Sequence, residues 1–475
     1  MSTSYALLVD FGSTYTKLRA VDLEACRIVA SAQAPSTVDS DITTGLALGL
    51  RRLEEQFGTL PNFKHRLASS SAAGGLRMIA VGLVRDLTTE AARRAALGAG
   101  AKLTETFSHR LIADDVRRIV DSAPDIILLA GGTDGGNSDV ILENAQALAT
   151  SDIGCPVILA GNRVARDEAQ DILTAQGKTV VATENVMPEI NVLNIEPARE
   201  AIRSVFLDHI VRAKGIDRVQ GMLDEVLMPT PAAVLSGARL LAEGYGGKDG
   251  LGELILVDVG GATTDVHSIA HGAPTRDGVI VQGLPEPYDK RTVEGDLGLR
   301  HNVATIVEQC GAEAIAHSAG STVQEVGRVL TAFQENVERV PTTANERAID
   351  DALASAAVTS AAARHAGSIE TVYTANGAAT VQRGKDLSEI GALVGTGGVF
   401  VHSRNPVGIL RAALASSTRP NSLLPRNPIL LLDQEYLLYA CGLLSTKAPE
   451  AALELGLRSL TQLNNESAHG HNPAA

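Results

Sequence analysis

The chain has 475 residues, and 41 basic against 55 acidic residues give it a formal net charge of −14. A composition of 45% hydrophobic residues excludes a disordered chain, and the acidic balance argues against DNA or RNA as the main partner. No apolar run approaches the roughly 20 residues that cross a bilayer, so no membrane partner is expected. At roughly 100–200 residues per domain, this length predicts two to four domains.

The cysteines and the N-terminus indicate the compartment. The first residues lack a cationic segment, and a polar turn follows at residues 10–14, so we expect no secretory signal. Four cysteines occur, and none forms a Cys-x-x-Cys pair: Cys26, Cys155, Cys310 and Cys441. That spacing argues against a disulfide framework or a zinc site and fits a reducing cytosol. The expectation is a cytoplasmic α/β protein.

Residues 5–84 are predicted to form β-hairpins and one helix. Strands are predicted at 5–10, 15–21 and 27–33, a helix with apolar residues near a 3.6 period at 44–57, and strands at 65–69 and 77–84. From about residue 86 strands alternate with helices: 101–107, 125–130, 156–160 and 179–183 as strands, 109–121, 138–149 and 165–176 as helices. This alternation predicts an inserted flavodoxin-like or Rossmann-like subdomain over residues 86–187.

The second half opens with a mostly helical stretch over 195–245. Strands follow at 254–258 and 263–269, helices at 303–316, 321–338 and 344–366, strands at 390–394 and 428–432, and a helix at 434–444. The tail over 466–475 carries Gly, His, Asn and Pro and is predicted to be mobile.

Two segments of the chain match each other. Residues 7–14 (LLVDFGST) and 255–264 (ILVDVGGATT) each form an apolar strand that ends in Asp, followed by a Gly turn rich in Ser and Thr. Such a turn presents backbone N–H groups to an anion, and an Asp at the strand end can hold Mg²⁺ beside phosphates. Two such hairpins facing each other would bind a polyphosphate from both sides.

A third segment, residues 392–398 (ALVGTGG), is a strand that leads into a glycine turn. Glycines allow a flat nucleoside to approach the backbone closely. The two Asp-Gly hairpins and this turn, in this order, resemble the phosphate-1, phosphate-2 and adenosine motifs of the superfold shared by actin, heat-shock chaperone ATPases and sugar kinases.

A closer resemblance covers residues 5 to about 445. Residues 10–17 (DFGSTYTK), 128–137 (LLAGGTDGGN), 257–266 (VDVGGATTDV) and 292–298 (TVEGDLG) together resemble the MutL (GlmL) family of glutamate mutase operons, which is distinct from the DNA mismatch-repair MutL. The resemblance implies an α/β, two-lobed actin-like (ribonuclease H-like) ATPase with an inserted parallel α/β subdomain. The expected domains are an N-terminal lobe at 1–249, a C-terminal lobe at 250–445, and a helix and tail at 446–475.

The function that this resemblance implies is an ATP-dependent reactivating chaperone for an adenosylcobalamin-dependent carbon-skeleton mutase such as glutamate mutase. Its cofactors would be ATP and Mg²⁺, and its partner a mutase subunit. The chaperone would exchange damaged for intact cobalamin by binding the open mutase better than the closed one.

Roles are assigned motif by motif. Asp10 and Asp258 are the candidates for the Mg²⁺ shell, and Asp265 either orients the attacking water or is a polar residue on the returning strand. The expected phosphate contacts on one side are Gly12, Ser13, Thr14 and Lys17, although Lys17 is equally a solvated side chain. On the other side they are Gly260, Gly261, Thr263 and Thr264. The adenosine contacts are Gly395, Thr396, Gly397 and Gly398.

Alternatives remain open. A hydantoinase/oxoprolinase-type amidohydrolase has a similar Asp-Val-Gly-Gly-x-Thr-Thr-Asp pattern, and a nucleotide-gated scaffold would bind ATP without hydrolysing it. The loop over residues 131–136 suits either an anion or a plain βα turn, and it could also face the mutase. His267 and His271 read as strand and turn residues rather than as a metal pair.

Overall fold

The computed structural model describes residues 4–12, 15–36, 42–71, 76–213, 223–337, 339–374 and 377–463. The chain divides into two compact units. The first comprises Met1–Gly237 and Tyr439–Leu455, and the second comprises Ala238–Leu438 and Gly456–Ala475. Within the described ranges, every helix is too short or too polar to cross a bilayer.

The elements of the first half alternate between strands and helices. In chain order they are β1 (Tyr5–Phe11), β2 (Tyr15–Asp22), β3 (Arg27–Pro35), α1 (Ile42–Phe57), β4 (Phe63–Ser70), β5 (Arg77–Gly82), α2 (Arg85–Gly98), β6 (Lys102–Ser108), α3 (Ala113–Asp121), β7 (Ile126–Leu129), α4 (Asp139–Ala149), β8 (Val157–Leu159), α5 (Arg166–Ala175), β9 (Val180–Ala182), α6 (Glu196–Ala213), β10 (Glu225–Pro229) and α7 (Thr230–Glu243).

The second half is richer in helices. Its elements are β11 (Leu254–Val259), β12 (Thr264–Ile269), β13 (Val279–Val281), β14 (Asp289–Glu294), α8 (Val303–Cys310), α9 (Ala312–Ser318), α10 (Val323–Glu335), α11 (Ala344–His365), β15 (Ser368–Thr374), β16 (Gly377–Arg383), β17 (Ala392–Thr396), α12 (Gly398–His402), α13 (Pro406–Arg411), β18 (Ile429–Asp433), α14 (Leu438–Ser445), α15 (Pro449–Ser459) and β19 (Leu460–Gln462).

The first unit contains a five-stranded sheet of order β10-β4-β1-β2-β3. β1, β2 and β3 are antiparallel neighbours, whereas β4 runs parallel to β1 and β10 parallel to β4. Side chains alternate along β1, so Leu7, Val9 and Phe11 pack in the core under α1. Asp10 therefore points to the opposite face of the sheet.

The inserted region forms its own sheet of order β6-β5-β7-β8-β9, and all neighbours in it are parallel. Each face of this sheet is covered by a separate apolar cluster, as parallel sheets require. The predicted parallel α/β insertion is thus confirmed. Its first strand, β5, lies upstream of residue 86, and Phe206 of α6 packs in one of its two clusters. The domain limits themselves stay a prediction.

The second unit repeats the order of the first sheet. Its large sheet has the order β14-β12-β11-β17-β18-β19, with β11, β12 and β14 antiparallel and with β17 and β18 parallel to β11. Each unit thus has three antiparallel strands followed by two parallel strands on the other side of the first one. This repeated ribonuclease H-like sheet confirms the predicted α/β actin-like fold class.

Some elements differ from the prediction. The helix expected at 303–316 is broken, because Gly311 adopts φ +86 and starts a new helix, α9. The stretch 195–245 contains the strand β10 between its helices. Tyr436 at φ +55 delays the helix expected from residue 434 until Leu438. The helix α2, the strand β14 and the small sheet β13-β16-β15 were not predicted. The tail at 466–475 lies outside the described residues.

Candidate nucleotide site

Asp10 lies at the end of β1 in a polar pocket made by two hydroxyl groups. Its Oδ1 atom accepts hydrogen bonds from Ser69 Oγ at 3.1 Å and from Thr230 Oγ1 at 2.5 Å. Ser69 is the partner of Asp10 on the parallel strand β4, and Thr230 is the first residue of α7. Burial raises the pKa of the Asp10 carboxyl, and the charge of Lys17 and the two hydroxyl donors partly offset this. A cation at this carboxylate would stabilise its ionised form.

The turn after Asp10 is closed by a backbone hydrogen bond. The Gly12 N–H donates to the Tyr15 carbonyl at 3.1 Å, and a Cβ atom at position 12 would lie 2.6 Å from that oxygen. Glycine is therefore required by the turn itself. Lys17 is half-buried and stands opposite Asp10 on β2. Ser13 and Thr14 lie outside the described residues.

The corresponding turn of the second unit has the same geometry. The Gly260 N–H donates to the Thr263 carbonyl at 2.9 Å. Asp265 on β12 stands opposite Asp258, as Lys17 on β2 stands opposite Asp10. Directly opposed residues of antiparallel strands share a face, with Cβ atoms about 5 Å apart. The two carboxylates therefore lie side by side.

Arg291 offsets the repulsion between these carboxylates. Its Nη2 atom lies 2.9 Å from Asp265 Oδ2, and its side chain is 5% exposed. The other oxygen, Asp265 Oδ1, is buried and has no hydrogen-bond partner among the described residues. A buried carboxylate oxygen without a donor favours a ligand that supplies one, such as a water molecule or a cation.

The segment 297–302 supports the turn at Gly260. Backbone N–H groups of Leu299 and Arg300 donate to the carbonyls of Gly260 and Gly261 at 3.1 and 2.9 Å. The Thr264 hydroxyl is buried and donates to the Leu297 carbonyl at 2.8 Å, so its hydrogen is committed within the protein. Thr263 is half-buried and Gly261 is exposed. The exposed part of the turn is thus mainly backbone.

Residues 292–298 (TVEGDLG) are held in place by an arginine of a neighbouring helix. Arg364 of α11 contacts Glu294 at 2.6 Å and Asp296 at 2.7 Å. These contacts fasten the segment that precedes the support of the Gly260 turn. The hydrogen bonds from Arg364 hold the pKa of Asp296 at about 2.

The four predicted adenosine contacts, residues 395–398, have different environments. A Cβ atom on Gly395 would meet the Phe400 ring at 3.0 Å, and Thr396 Oγ1 donates to Asp433 Oδ2 at 3.0 Å. Gly397 has φ +100, and a Cβ atom there would lie 2.6 Å from Asp258 Oδ1. These three residues are buried, whereas Gly398 is exposed.

A cleft of about 440 Å³ adjoins the Gly260 turn and contains Gly398. Its remaining walls include Val340, Pro341 and Val399, together with Arg300. Arg300 is held by Asp350 at 2.7 and 3.1 Å and lies over the Phe333 ring at 4.2 Å. The lining also includes Arg347, Asp351 and His402. Apolar walls with a few polar groups, in a volume of this size, suit a small planar molecule that carries polar atoms.

Sequence reasoning missed Ser69, Thr230 and Asp433. Thr230 is 220 residues from Asp10, and nothing in a single sequence links them. Asp433 could have been found, because it ends an apolar strand as Asp10 and Asp258 do. It is fully buried and accepts the N–H groups of Leu437 and Leu438 at 2.9 and 3.2 Å. Burial raises the pKa of its carboxyl.

The carboxylates fit a lightly coordinated metal. No group of three or more His, Cys, Asp or Glu side chains that could hold a metal occurs in the described part of the chain. Mg²⁺ needs fewer, because it keeps several waters and binds one or two carboxylates together with substrate phosphates. Asp10 and Asp258 are each, within its own unit, a strand-end carboxylate of the kind that could contribute in this way.

Several solved structures are similar to this chain at TM-scores below 0.5. A gluconate kinase from Lactobacillus acidophilus is 12% identical with a TM-score of 0.37 and coverage of 98% of this chain and 93% of the kinase. A xylulose kinase from Bifidobacterium adolescentis is 13% identical with a TM-score of 0.33 and coverage of 97% and 96%. A nucleotide-free acetone carboxylase is 14% identical with a TM-score of 0.35. The match covers 76% of this chain and 62% of the carboxylase, so the chain spans less than two thirds of that protein.

Comparison of sequences identifies the family of this chain. The protein MutL of Clostridium tetanomorphum is 46% identical over 458 residues, which cover 96% of this chain and 99% of that protein. The family model described as MutL protein matches residues 6–460. The chain therefore belongs to the MutL family.

Proposed function

We propose that this chain binds Mg-ATP and that each Asp-Gly hairpin contributes to its binding. One observation carries the proposal: the same hairpin, with an Asp seven residues before a charged partner, stands at the same place of the repeated sheet in both units. Asp10 and Asp258 would hold the metal shell, and the backbone of the Gly12 and Gly260 turns would contact phosphates. The cleft at Gly398 would take the adenosine.

ATP hydrolysis in this site needs positioning and charge stabilisation rather than a strong nucleophile. Mg²⁺, when bound, would neutralise charge on the phosphates. Asp265 would orient the attacking water through its unpaired Oδ1 atom, while Arg291 fixes its other oxygen. The contact of Arg291 with one oxygen of Asp265 supports this role for the other oxygen.

We also propose that hydrolysis serves the reactivation of an adenosylcobalamin-dependent carbon-skeleton mutase, such as glutamate mutase. Family membership and the resemblance to the MutL (GlmL) proteins of glutamate mutase operons support this role. A chaperone can open a closed mutase only by binding the open form more tightly, and a shift from 1:99 to 99:1 needs about 10⁴-fold preference. Hydrolysis would then reset that preference.

Titration of the chain with ATP, with and without Mg²⁺, tests the nucleotide proposal. Asp10→Asn and Asp258→Asn each keep an oxygen acceptor but lose the charge, so we expect Mg-ATP affinity to fall at least about tenfold. Metal-free ATP should bind these variants as it binds the wild type. Asp152→Asn, at an exposed position of the insertion, is the matched control. Unchanged Mg-ATP affinity in both site variants would reject the site.

ATPase assays with different additions test the role. We expect a cobalamin mutase subunit to change the ATPase rate, or ATP to change the affinity for that subunit. Stimulation by a small cyclic amide instead would favour an amidohydrolase. Binding of ATP with no turnover under any addition would favour a scaffold.

A further inference from the structure

The inserted subdomain contains a cavity that the proposed ATP site does not use. It measures about 240 Å³ and lies at the carboxyl ends of β5 and β7. These two strands are neighbours in the order β6-β5-β7-β8-β9. The helix after β5 packs in one of the two apolar clusters of this sheet, and the helix after β7 packs in the other. In doubly wound sheets, ligands bind in the crevice at this switch point.

The cavity has one apolar side and one backbone side. Leu83 and Leu87 come from the segment after β5, and Val186, Met187 and Ile190 come from the segment after β9. The opposite side is the glycine loop after β7, in which Gly131 and Gly132 adopt φ +135 and +73. A Cβ atom at position 131 would lie 3.0 Å from the Leu83 N atom, so only glycine brings this loop so close to β5.

Two buried asparagines fix the shape of the loop. Asn185 Nδ2 donates to the Gly132 carbonyl at 3.0 Å and to Asp134 Oδ1 at 2.9 Å. Asn162 accepts the Gly135 N–H at 3.1 Å and donates to the Gly136 carbonyl at 3.2 Å. The loop carbonyls are therefore occupied. The N–H groups of Gly131, Gly132 and Thr133, which line the cavity, have no acceptor among the described residues.

The charges near the cavity decide the kind of ligand. Among the side chains that the structure describes, none that lines it is acidic or basic. Asp134 is not among the lining residues, and its Oδ1 atom accepts from Asn185 and from the Arg163 N–H. Three backbone donors, with no lysine or arginine among the described lining residues, suit a single carboxylate better than a phosphate dianion, which needs a cation. The apolar side would bury a hydrocarbon body of limited size.

We propose that this cavity is a binding site for a small organic monocarboxylate with an apolar body. The carboxylate would accept from the Gly131–Thr133 backbone, and the body would pack between Leu83, Leu87 and Met187. The inference is independent of ATP binding, since none of the residues involved belongs to either Asp-Gly hairpin or to the cleft at Gly398.

Ligand-detected NMR and calorimetry on the full chain without nucleotide test it, with 3-phenylpropanoate as the probe and 3-phenylpropanamide as its neutral analogue. We expect the acid to bind more tightly than the amide, and inorganic phosphate not to compete. Asn137→Asp keeps the Oδ1 acceptor for the Val140 N–H but adds a charge to the cavity lining. It should weaken acid binding about tenfold and leave amide binding unchanged.

A second pair of variants guards against misfolding. Ile190 is 71% exposed, so Ile190→Trp should fold, cover the opening and abolish binding of both probes. Val164→Trp changes an equally exposed residue that does not line the cavity and should leave binding intact. Failure of the acid to bind the wild type, equal affinity for acid and amide, or acid binding that survives Ile190→Trp would each overturn the proposal.

Discussion

Lys385 is fully buried in the second unit, where an ammonium group is costly. Its Nζ donates to the Tyr288 carbonyl at 2.7 Å and to Ser268 Oγ at 3.3 Å. Burial, with the nearby charge of Lys290, lowers the pKa of Lys385 to about 7 from 10.5. Above pH 7 the folded chain has released a proton that the unfolded chain keeps until about pH 10.5. The free energy of unfolding should therefore rise with pH over this range.

Urea unfolding at several pH values between 7 and 10 would measure this effect. One proton contributes a slope of up to about 1.4 kcal/mol per pH unit. In Lys385→Met that contribution should disappear, so the variant's stability should change less with pH than the wild type's. Lys102→Met, at an exposed site, should keep the wild-type slope. Equal slopes in all three proteins would contradict the assignment.

Predictability of the site differs from residue to residue. Asp10 and Asp258 were predicted as site candidates because each ends an apolar strand and precedes a glycine turn; their metal role stays a prediction. The partners of Asp10 could not be predicted, because Ser69 and Thr230 reach it only through a parallel strand pair and a helix start. The pairing of Asp265 with Arg291 likewise requires the register of β12 and β14.

At the scale of elements, the Gly260 turn depends on the segment after β14. A Cβ atom on Gly298 would lie 2.3 Å from the Ala262 backbone, so Gly298→Ala must displace the turn. We expect Mg-ATP affinity to fall severalfold, measured by calorimetry. Gly327→Ala is the control, because its Cβ meets nothing within 4 Å on α10. That variant should gain up to about 1 kcal/mol of stability. Normal affinity in Gly298→Ala would show that the turn does not contact nucleotide.

The contact between α11 and β14 rests on Arg364. Removing it in Arg364→Met would leave the buried Glu294 carboxylate without its cation, so we expect a loss of about 2 kcal/mol in the free energy of unfolding at pH 7. The lowered pKa of Asp296 gives stability above pH 4 that is lost as the pH falls towards 2. The variant and wild type should therefore converge in acid. Arg383→Met removes an exposed pair with Glu370 and should cost under about 1 kcal/mol. A constant difference between Arg364→Met and wild type at pH 7 and pH 3 would contradict this explanation.

Elements with strong local patterns were predicted, and those defined by distant pairing were not. The repeated βα rhythm of the insertion gave its strands closely, because a buried apolar run and an amphipathic helix each carry a local pattern. β10 was missed because it is a short strand between two helices and is fixed by pairing with β4. The small sheet β13-β16-β15 was missed for the same reason, because its strands β13 and β16 pair although they lie about a hundred residues apart in the chain.

At the scale of the molecule, residues 439–455 belong to the first unit although they follow most of the second. A Cβ atom on Gly442 would lie 1.8 Å from the Ala233 carbonyl of α7, so α14 packs directly on that backbone. Gly442→Val should therefore loosen α7. Hydrogen exchange should show faster exchange in α7 while β11 and β17 keep their protection. Gly154→Val, where a Cβ meets nothing, is the control. Unchanged protection in α7 would contradict this packing.

The matched positions opposite Asp10 and Asp258 differ in sign, with Lys17 in one copy of the sheet and Asp265 in the other. If one ancestral gene segment was duplicated, this is where the copies diverged in charge. The charge beside the strand-end carboxylate is therefore positive in one sheet and negative in the other, so an ion at one hairpin meets a different electric field from an ion at the matched hairpin.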